Sequence, residues 1–458
     1  MKTKTIIKVL SGILLIFAGG CTVNKIGNNQ PEKLAAAENK PNVILVTISS
    51  LRKDHVSCLG YDRKTTPKFD EFAKSNILFT NAFAASSWQM PAVGSIFTSM
   101  YPSDHGATHI SNKLNAKVQT LASVLKKNGY YTAGFGCNPR LTSEYGFDNG
   151  FDFYDDYSVS MMLSSMSFGQ KGGIEIDKRR TNDLVNDAVI RWLGNNTHKP
   201  FFLSVHYYDT HWDYLPDEPF NTLFDPDYAG DIDGHQIARE PLYSNMPSDR
   251  DVEHIIALYD GEIKQTDNDL GELLLALKED RRFEDSVIIV MGDHGEQFYE
   301  HGHTSHHGIF DELICIPLAI SVPDSNSSKE ITSFASGIDI MPTVLDYTGI
   351  KIPEQCKGQS LKELIQGKPD KKRDFVFVEY TGGAVPDCFA ARFEKYKFIC
   401  QDGDVFVYDL TADPGEQKKI SKANFTPEMN ELFEKVKHLI VRDKPVAEDK
   451  CKQQPTKN

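Results

Sequence analysis

The chain has 458 residues, 40% of them hydrophobic and 25% charged, with a formal net charge of −14. Length and composition describe a folded protein with a large core, arranged as one big α/β domain or as two domains. The acidic balance argues against general nucleic-acid binding, which needs a basic face, but leaves room for an anionic small substrate in a locally positive pocket.

Lys2, Lys4 and Lys8 precede an apolar run, Val9 to Phe17, that is too short to span a bilayer. The run ends in Ala18-Gly19-Gly20-Cys21, which resembles the lipobox of bacterial lipoproteins, with Ala18 standing where Leu is usual. Residues 1–21 are therefore expected to be a lipoprotein-type signal, in preference to an ordinary secretory one. The protein would sit in the bacterial cell envelope, touching the membrane only through a lipid on Cys21. Residues 22–40 are polar and aperiodic, as in a tether.

From Pro41 the pattern alternates. Val43 to Val46 is a continuous apolar run, the mark of a strand buried on both faces. Thr66-Pro67 opens a helix with Phe69, Phe72 and Ala73 on one side. Val118, Leu121, Ala122 and Leu125 mark another, which leads through Asn128-Gly129 into a strand at 131–135. A helix carrying Leu184, Val185, Ala188, Val189 and Trp192 precedes a strand at 201–205. A long amphipathic helix near 252–277 precedes a strand at 287–290. Helices feeding apolar strands in this order give an α/β fold, a mostly parallel sheet sandwiched by helices, over residues 41–365. Residues 366–445 read instead as a small antiparallel sheet (375–379, 388–393, 396–400 and 405–410) with a helix near 429–441, and 446–458 as a tail. The cysteines after Cys21 show no CxxC spacing, so a zinc site is not expected. Cys388 and Cys400 flank a hairpin and could pair, although seven remaining cysteines leave a thiol over.

Ligands of open α/β sheets bind beyond the carboxyl ends of the strands. Three polar clusters follow buried strands there: His206-Tyr207-Tyr208-Asp209-Thr210-His211, Gly292-Asp293-His294-Gly295-Glu296, and the histidines 301, 303, 306 and 307. A single histidine is more often structural than catalytic. This density suits metal binding, anion contact or proton transfer.

These stretches carry a family resemblance. PNVILVTISSLRKDH at 41–55 resembles the opening strand and loop of sulfatases, of the alkaline phosphatase superfamily. AASSWQMPAVGSIFTSMYPSDHG at 84–106 is similar to the segment that carries their nucleophile. GDHGE at 292–296 with EHGH at 300–303 resembles their second metal-binding stretch, and Tyr408-Asp409-Leu410 with Asp413-Pro414-Gly415-Glu416 their C-terminal sheet. The resemblance runs over about residues 41–440. It implies a divalent metal, calcium, with Asp293 and His294 as ligands and His211 and His307 on the sulfate or leaving group. His206 and Asp209 are further candidates for substrate contact. It implies a sulfate or phosphate ester of a small molecule or glycan as partner, and no nucleic acid.

Two positions depart from the family. Ser49 stands where the first carboxylate ligand is expected, which weakens the metal site, since a neutral hydroxyl is a poor ligand for a hard cation. Gln89 stands at the nucleophile position, two residues before Pro91. An amide neither attacks an ester nor converts to formylglycine, and Ser86 and Ser87 fall too early to replace it. Val93 replaces an arginine, and Asn138-Pro139-Arg140 replaces a Lys-Trp-His stretch. Two functions compete: an ester hydrolase with impaired or non-standard catalysis through activated water, and a non-catalytic relative that binds sulfated or phosphorylated glycans. A transferase of the same fold is disfavoured, because its membrane helices and threonine nucleophile are missing. Specificity is expected to lie in loops such as 156–180 and 212–250.

Overall fold

The computed structural model describes residues 40–441, apart from residues 110, 157–180, 197, 199, 235–246, 285, 303, 324–327, 369–372 and 383–385. The signal-like segment with Cys21, residues 22–39 of the expected tether, the tail, His303 and much of the two expected specificity loops lie outside the described residues.

The chain from Pro41 onward forms one compact unit. Its centre is strand β1 (Asn42–Ile48), every residue of which is buried. Period-two geometry sends its side chains alternately to two cores. Val43 and Leu45 join one apolar cluster, while Ile44 and Val46 join the other. Strand β6 (Ser286–Gly292) repeats the alternation, with Val287 and Ile289 on the first side and Ile288 and Val290 on the second. A run without polar residues therefore marks a strand covered on both faces, each such side chain contributing about 1.5–3 kcal/mol of burial.

Strands β2 (Ile77–Phe83), β3 (Tyr131–Gly136), β4 (Phe153–Asp155) and β5 (Phe201–Tyr207) complete the core of a nine-stranded sheet. Its order is 329–331, β2, 315–321, β6, β1, β5, β3, β4, with 335–336 also on β2. β1 pairs in parallel with both β5 and β6, and β3 in parallel with β4 and β5. The strand Cys315–Ser321 runs antiparallel between β2 and β6. The expected fold, mostly parallel and flanked by helices, is thus observed. Helix Gln89–Thr98 packs on one face and helices Pro67–Ser75, Thr181–Asn195 and Asp249–Glu279 on the other. The longest of these spans 31 residues and starts at a reciprocal cap between Ser248 and Asp251.

The C-terminal sheet is antiparallel, with strands 375–380, 388–393, 396–401, 404–409 and 420–421 in sequence order. One face, with Val376, Val378 and Ala390, shares the main core. The other, with Phe377, Phe389 and Phe398, is covered by helix Pro427–Ile440. The Cys388–Cys400 pairing considered above is not formed, and both thiols are free. Cys388 lies opposite Gln401 and Cys400 opposite Phe389, so the two sit in adjacent pairs that face opposite sides of the sheet.

Candidate active site

The polar clusters meet at the carboxyl ends of β1, β5 and β6. Asp293, just past β6, is fully buried. Its Oδ1 accepts from the backbone N–H of Ser50 (3.0 Å) and of His294 (2.7 Å), while Oδ2 has no partner. Burial pushes its carboxyl up to about 8, against the pull of those two donors. His294 Nδ1 lies 2.7 Å from the Gly295 carbonyl, so the proton belongs on Nδ1 and the lone pair on Nε2, which is buried and unpartnered. Burial, and then the neighbouring His306, hold its imidazole well below the usual range.

The loop after β1 is pinned by its backbone. Ser49 N–H donates to the Tyr207 carbonyl (2.9 Å), and the Ser49 carbonyl accepts from the Thr210 hydroxyl. Ser50 takes the left-handed conformation (φ 52°), and its carbonyl accepts from Tyr259 Oη (2.6 Å). Both serine hydroxyls are left buried and unpartnered.

Gln89 is the first residue of its helix, which has no side-chain cap. Its amide nitrogen lies 3.4 Å from His211 Nε2, and its amide oxygen has no partner. His211 Nδ1 faces the Trp212 carbonyl at 2.9 Å, so its Nε2 carries the lone pair that meets the Gln89 amide. Burial, then His306, push the His211 imidazole down to about 4. His206 lies against Thr47 Oγ1 (2.8 Å) and Asn138 Nδ2 (3.3 Å), and burial pushes it down to about 3.

Two expected site residues stand elsewhere. Asp209 is committed to the start of helix Thr181–Asn195, accepting from Thr181 Oγ1 and from Asn182 N–H (3.1 Å). His307 turns toward Tyr380 Oη (3.4 Å) and lines a cleft of about 510 Å³ against the C-terminal sheet. Its neighbour His306 occupies the site, with ring centroids 5.2 Å from His211 and 5.0 Å from His294. His306 Nδ1 is 3.4 Å from Glu296 Oε1. Burial pushes the Glu296 carboxyl up, but His306 and His211 outweigh it and hold the group below its usual range. Sequence reasoning named His306 and Glu296 only within their clusters, without a role of their own, and assigned none to Ser50 or Asn138. Two adjacent histidines face opposite ways, and nothing in their spacing says which faces the site.

Beneath the Gln89 helix, the fully buried His105 places Nε2 3.2 Å from the Pro91 carbonyl and 3.1 Å from Ser95 Oγ. Burial pushes this imidazole down to about 4. The unfolded chain, with a histidine near 6.5, takes up the proton first. Stability is thus full above about pH 6.5 and declines as pH falls toward 4. His206 and His211 act in the same direction. The variant His105→Gln is expected to flatten part of this decline in urea midpoints compared between pH 7 and pH 5.

Residues 41–350 match the family model described as Sulfatase, and residues 299–444 one described as N-sulphoglucosamine sulphohydrolase, C-terminal. The chain belongs to the sulfatase family. It is 24% identical to an N-acetylglucosamine-6-O-sulfatase of Bacteroides thetaiotaomicron, over 94% of this chain and 91% of the relative. It is 23% identical to an arylsulfatase of Clostridium perfringens, over 88% and 94% of the two chains. Among solved structures, the fold is similar to a phosphonate monoester hydrolase of Agrobacterium radiobacter (TM-score 0.73, 23% identity, 87% of this chain and 95% of that one). A second, solved with its substrate D-glucosamine-2-N,6-O-disulfate, gives a TM-score of 0.69 at 21% identity, over 87% and 97% of the two chains.

Sulfatases typically bind a divalent metal. The donors in this sulfatase-family pocket do not fit calcium, which takes six to eight oxygens, mostly from carboxylates and carbonyls. Asp293 and Glu296 each offer one unpartnered carboxylate oxygen, His294 an imidazole nitrogen, and Ser49 and Ser50 neutral hydroxyls, which falls short of that number of oxygens. Among the described residues, no group of three or more His, Cys, Asp or Glu side chains is placed to hold a metal ion.

Proposed function

We propose that this sulfatase-family protein takes the sulfate ester of a sugar into the pocket at the ends of β1, β5 and β6, and handles it without a covalent intermediate. The observation that carries this reading is Gln89, an amide at the nucleophile position, against His211 Nε2. The named relatives supply the substrate class: one is a sulfatase of N-acetylglucosamine, and a similar fold was solved with a glucosamine disulfate. With the covalent route gone, cleavage falls to a water that displaces the Gln89 amide from the His211 lone pair. An imidazole pushed down to about 4 is a weak base near neutral pH. Recognition therefore outlasts turnover, and the protein works as an impaired hydrolase whose stronger property is binding.

The test pairs calorimetry with a sulfate-release assay on glucosamine 6-sulfate, using unsulfated glucosamine as control. Binding of the sulfated sugar alone is expected, with slow release, no burst, and at least tenfold weaker binding in His211→Ala. A stoichiometric burst followed by fast turnover would overturn the non-covalent reading. Equal binding of both sugars would overturn the sulfate-ester reading.

A further inference from the structure

Four serine side chains are fully buried on the loops that follow β1 and β2: Ser49, Ser50, Ser86 and Ser87. None of their hydroxyls has a hydrogen-bond partner, and neither does Gln89 Oε1. An unmade hydrogen bond at a buried hydroxyl costs about 1–3 kcal/mol, so such a concentration marks the place of a polar occupant. The hydroxyls are not absorbed by their own loops. The Ser49 and Ser50 backbones are held by Tyr207, Thr210, Asp293 and Tyr259, which leaves the side chains over.

The occupant could be a cation or an oxyanion, and the donor set distinguishes them. A hard cation needs six or more oxygens, several of them ionic. Among the described residues of the site two ionic oxygens are uncommitted, Asp293 Oδ2 and Glu296 Oε2, since Asp293 Oδ1 already accepts two backbone N–H groups and Glu296 Oε1 faces Gln297 N–H and His306. An oxyanion needs donors. The four hydroxyls can donate, as can the Gln89 amide and the uncapped N-terminus of helix Gln89–Thr98, whose first N–H groups have no partners within the helix. The imidazoles of His211, His294 and His306 stand around the same space, but the Nε2 lone pairs of His211 and His294 accept rather than donate and so do not count for an anion. The carboxylates of Asp293 and Glu296 count against an anion, and they are outnumbered.

We propose that this pocket is independent of any resident cation, and that the Ser49 and Ser50 hydroxyls with the N-terminus of the Gln89 helix hold the sulfate oxygens directly. The proposal rests on the reading of the pocket as a sulfate-ester site, and its test separates the two. The chelator-dialysed protein is titrated with calcium alone and with manganese alone, by calorimetry and thermal shift. Glucosamine 6-sulfate is then titrated in EDTA and again in calcium. No cation uptake is expected up to about 1 mM, the weak end of biological calcium sites. Sugar affinity is expected to agree within about twofold between the two buffers, and Ser49→Ala to weaken it about tenfold in EDTA, the value of one lost hydrogen bond. In Ser49→Asp/Ser50→Asp, calcium is expected to raise the melting temperature, as it does not in the parent. Micromolar cation uptake by the parent protein, or sugar binding that requires calcium, would overturn this proposal alone. Failure of the sulfated sugar to bind in either buffer would overturn it together with the sulfate-ester reading.

Discussion

Replacing Lys397 with methionine is expected to destabilise the protein by about 3–5 kcal/mol, the usual cost of breaking a buried ion pair from one side. Lys397 is fully buried where the C-terminal sheet meets the loop that follows His306 and His307. Its Nζ donates to the Ile309 carbonyl (3.0 Å), Asp311 Oδ1 (2.8 Å) and Glu416 Oε2 (2.7 Å), and Glu416 in turn accepts from the Asp311 N–H (2.6 Å). Methionine fills the space but leaves both carboxylates without their shared cation. Arg392, 3.1 Å from Asp311, can serve only one of them. Urea unfolding should therefore show a large drop for Lys397→Met, with part of it recovered in Lys397→Met/Glu416→Gln. An equal drop in both variants would mean that packing, not charge, is what the lysine supplies. The acid limb gives an independent reading. Burial pushes the Asp311 carboxyl up, but Lys397 and Arg392 override it and hold it at about 2. A folded value below the unfolded one gives stability that is present above about pH 4 and lost as pH falls toward 2. That loss should be shallower in the variant.

Much of this fold was legible because burial leaves a simple trace. Val43 to Val46 and Val287 to Val290 are apolar on both faces, and they are neighbouring central strands. The helices before β3, β5 and β6 announced themselves by spacing. The strand at 315–321 did not. It carries Pro317, runs antiparallel and is preceded only by the four-residue helix Asp311–Ile314, too short to leave a periodic pattern, so order along the chain gives no hint of it. At the site, Asp293, His294, His211 and Gln89 were legible because each follows a strand or opens a helix within a recognisable run. Asp209 and His307 were misplaced for different reasons. Asp209 is taken up by the start of helix Thr181–Asn195, a partner far away in sequence, whereas His307 has a histidine neighbour that takes the site position, and only the backbone direction there decides which one turns inward. Glu296 was quoted within its motif but given no role, because its partner His306 is ten residues away across a loop.

Gly295 carries no side chain, and its surroundings leave room for none. A Cβ built on Gly295 would lie 1.9 Å from the Glu312 carbonyl oxygen and 3.1 Å from Leu313 Cα, and the Gly295 N–H donates to the Leu313 carbonyl at 2.8 Å. The loop after β6 thus runs in backbone contact with the segment that leads from His306 into the strand at 315–321. Gly295→Ala must move one of them. If the first moves, Asp293, His294 and Glu296 shift; if the second moves, the chain leading back to His306 shifts. Either way the contacts of His306 with His294 and Glu296 change. Overpacking of this kind costs about 1–3 kcal/mol, which a protein of this size survives folded. The variant is therefore expected to unfold at lower urea yet bind glucosamine 6-sulfate at least tenfold more weakly, a loss of about 1.4 kcal/mol or more. Gly194→Ala is the control, since its Cβ meets nothing within 4 Å and it sits in helix Thr181–Asn195. It should be neutral or slightly stabilising, by up to about 1 kcal/mol, because alanine has less freedom to lose on folding. A Gly295→Ala protein that binds the sugar as the parent does would show that recognition does not depend on how these two loops meet, and would move the pocket away from the histidines.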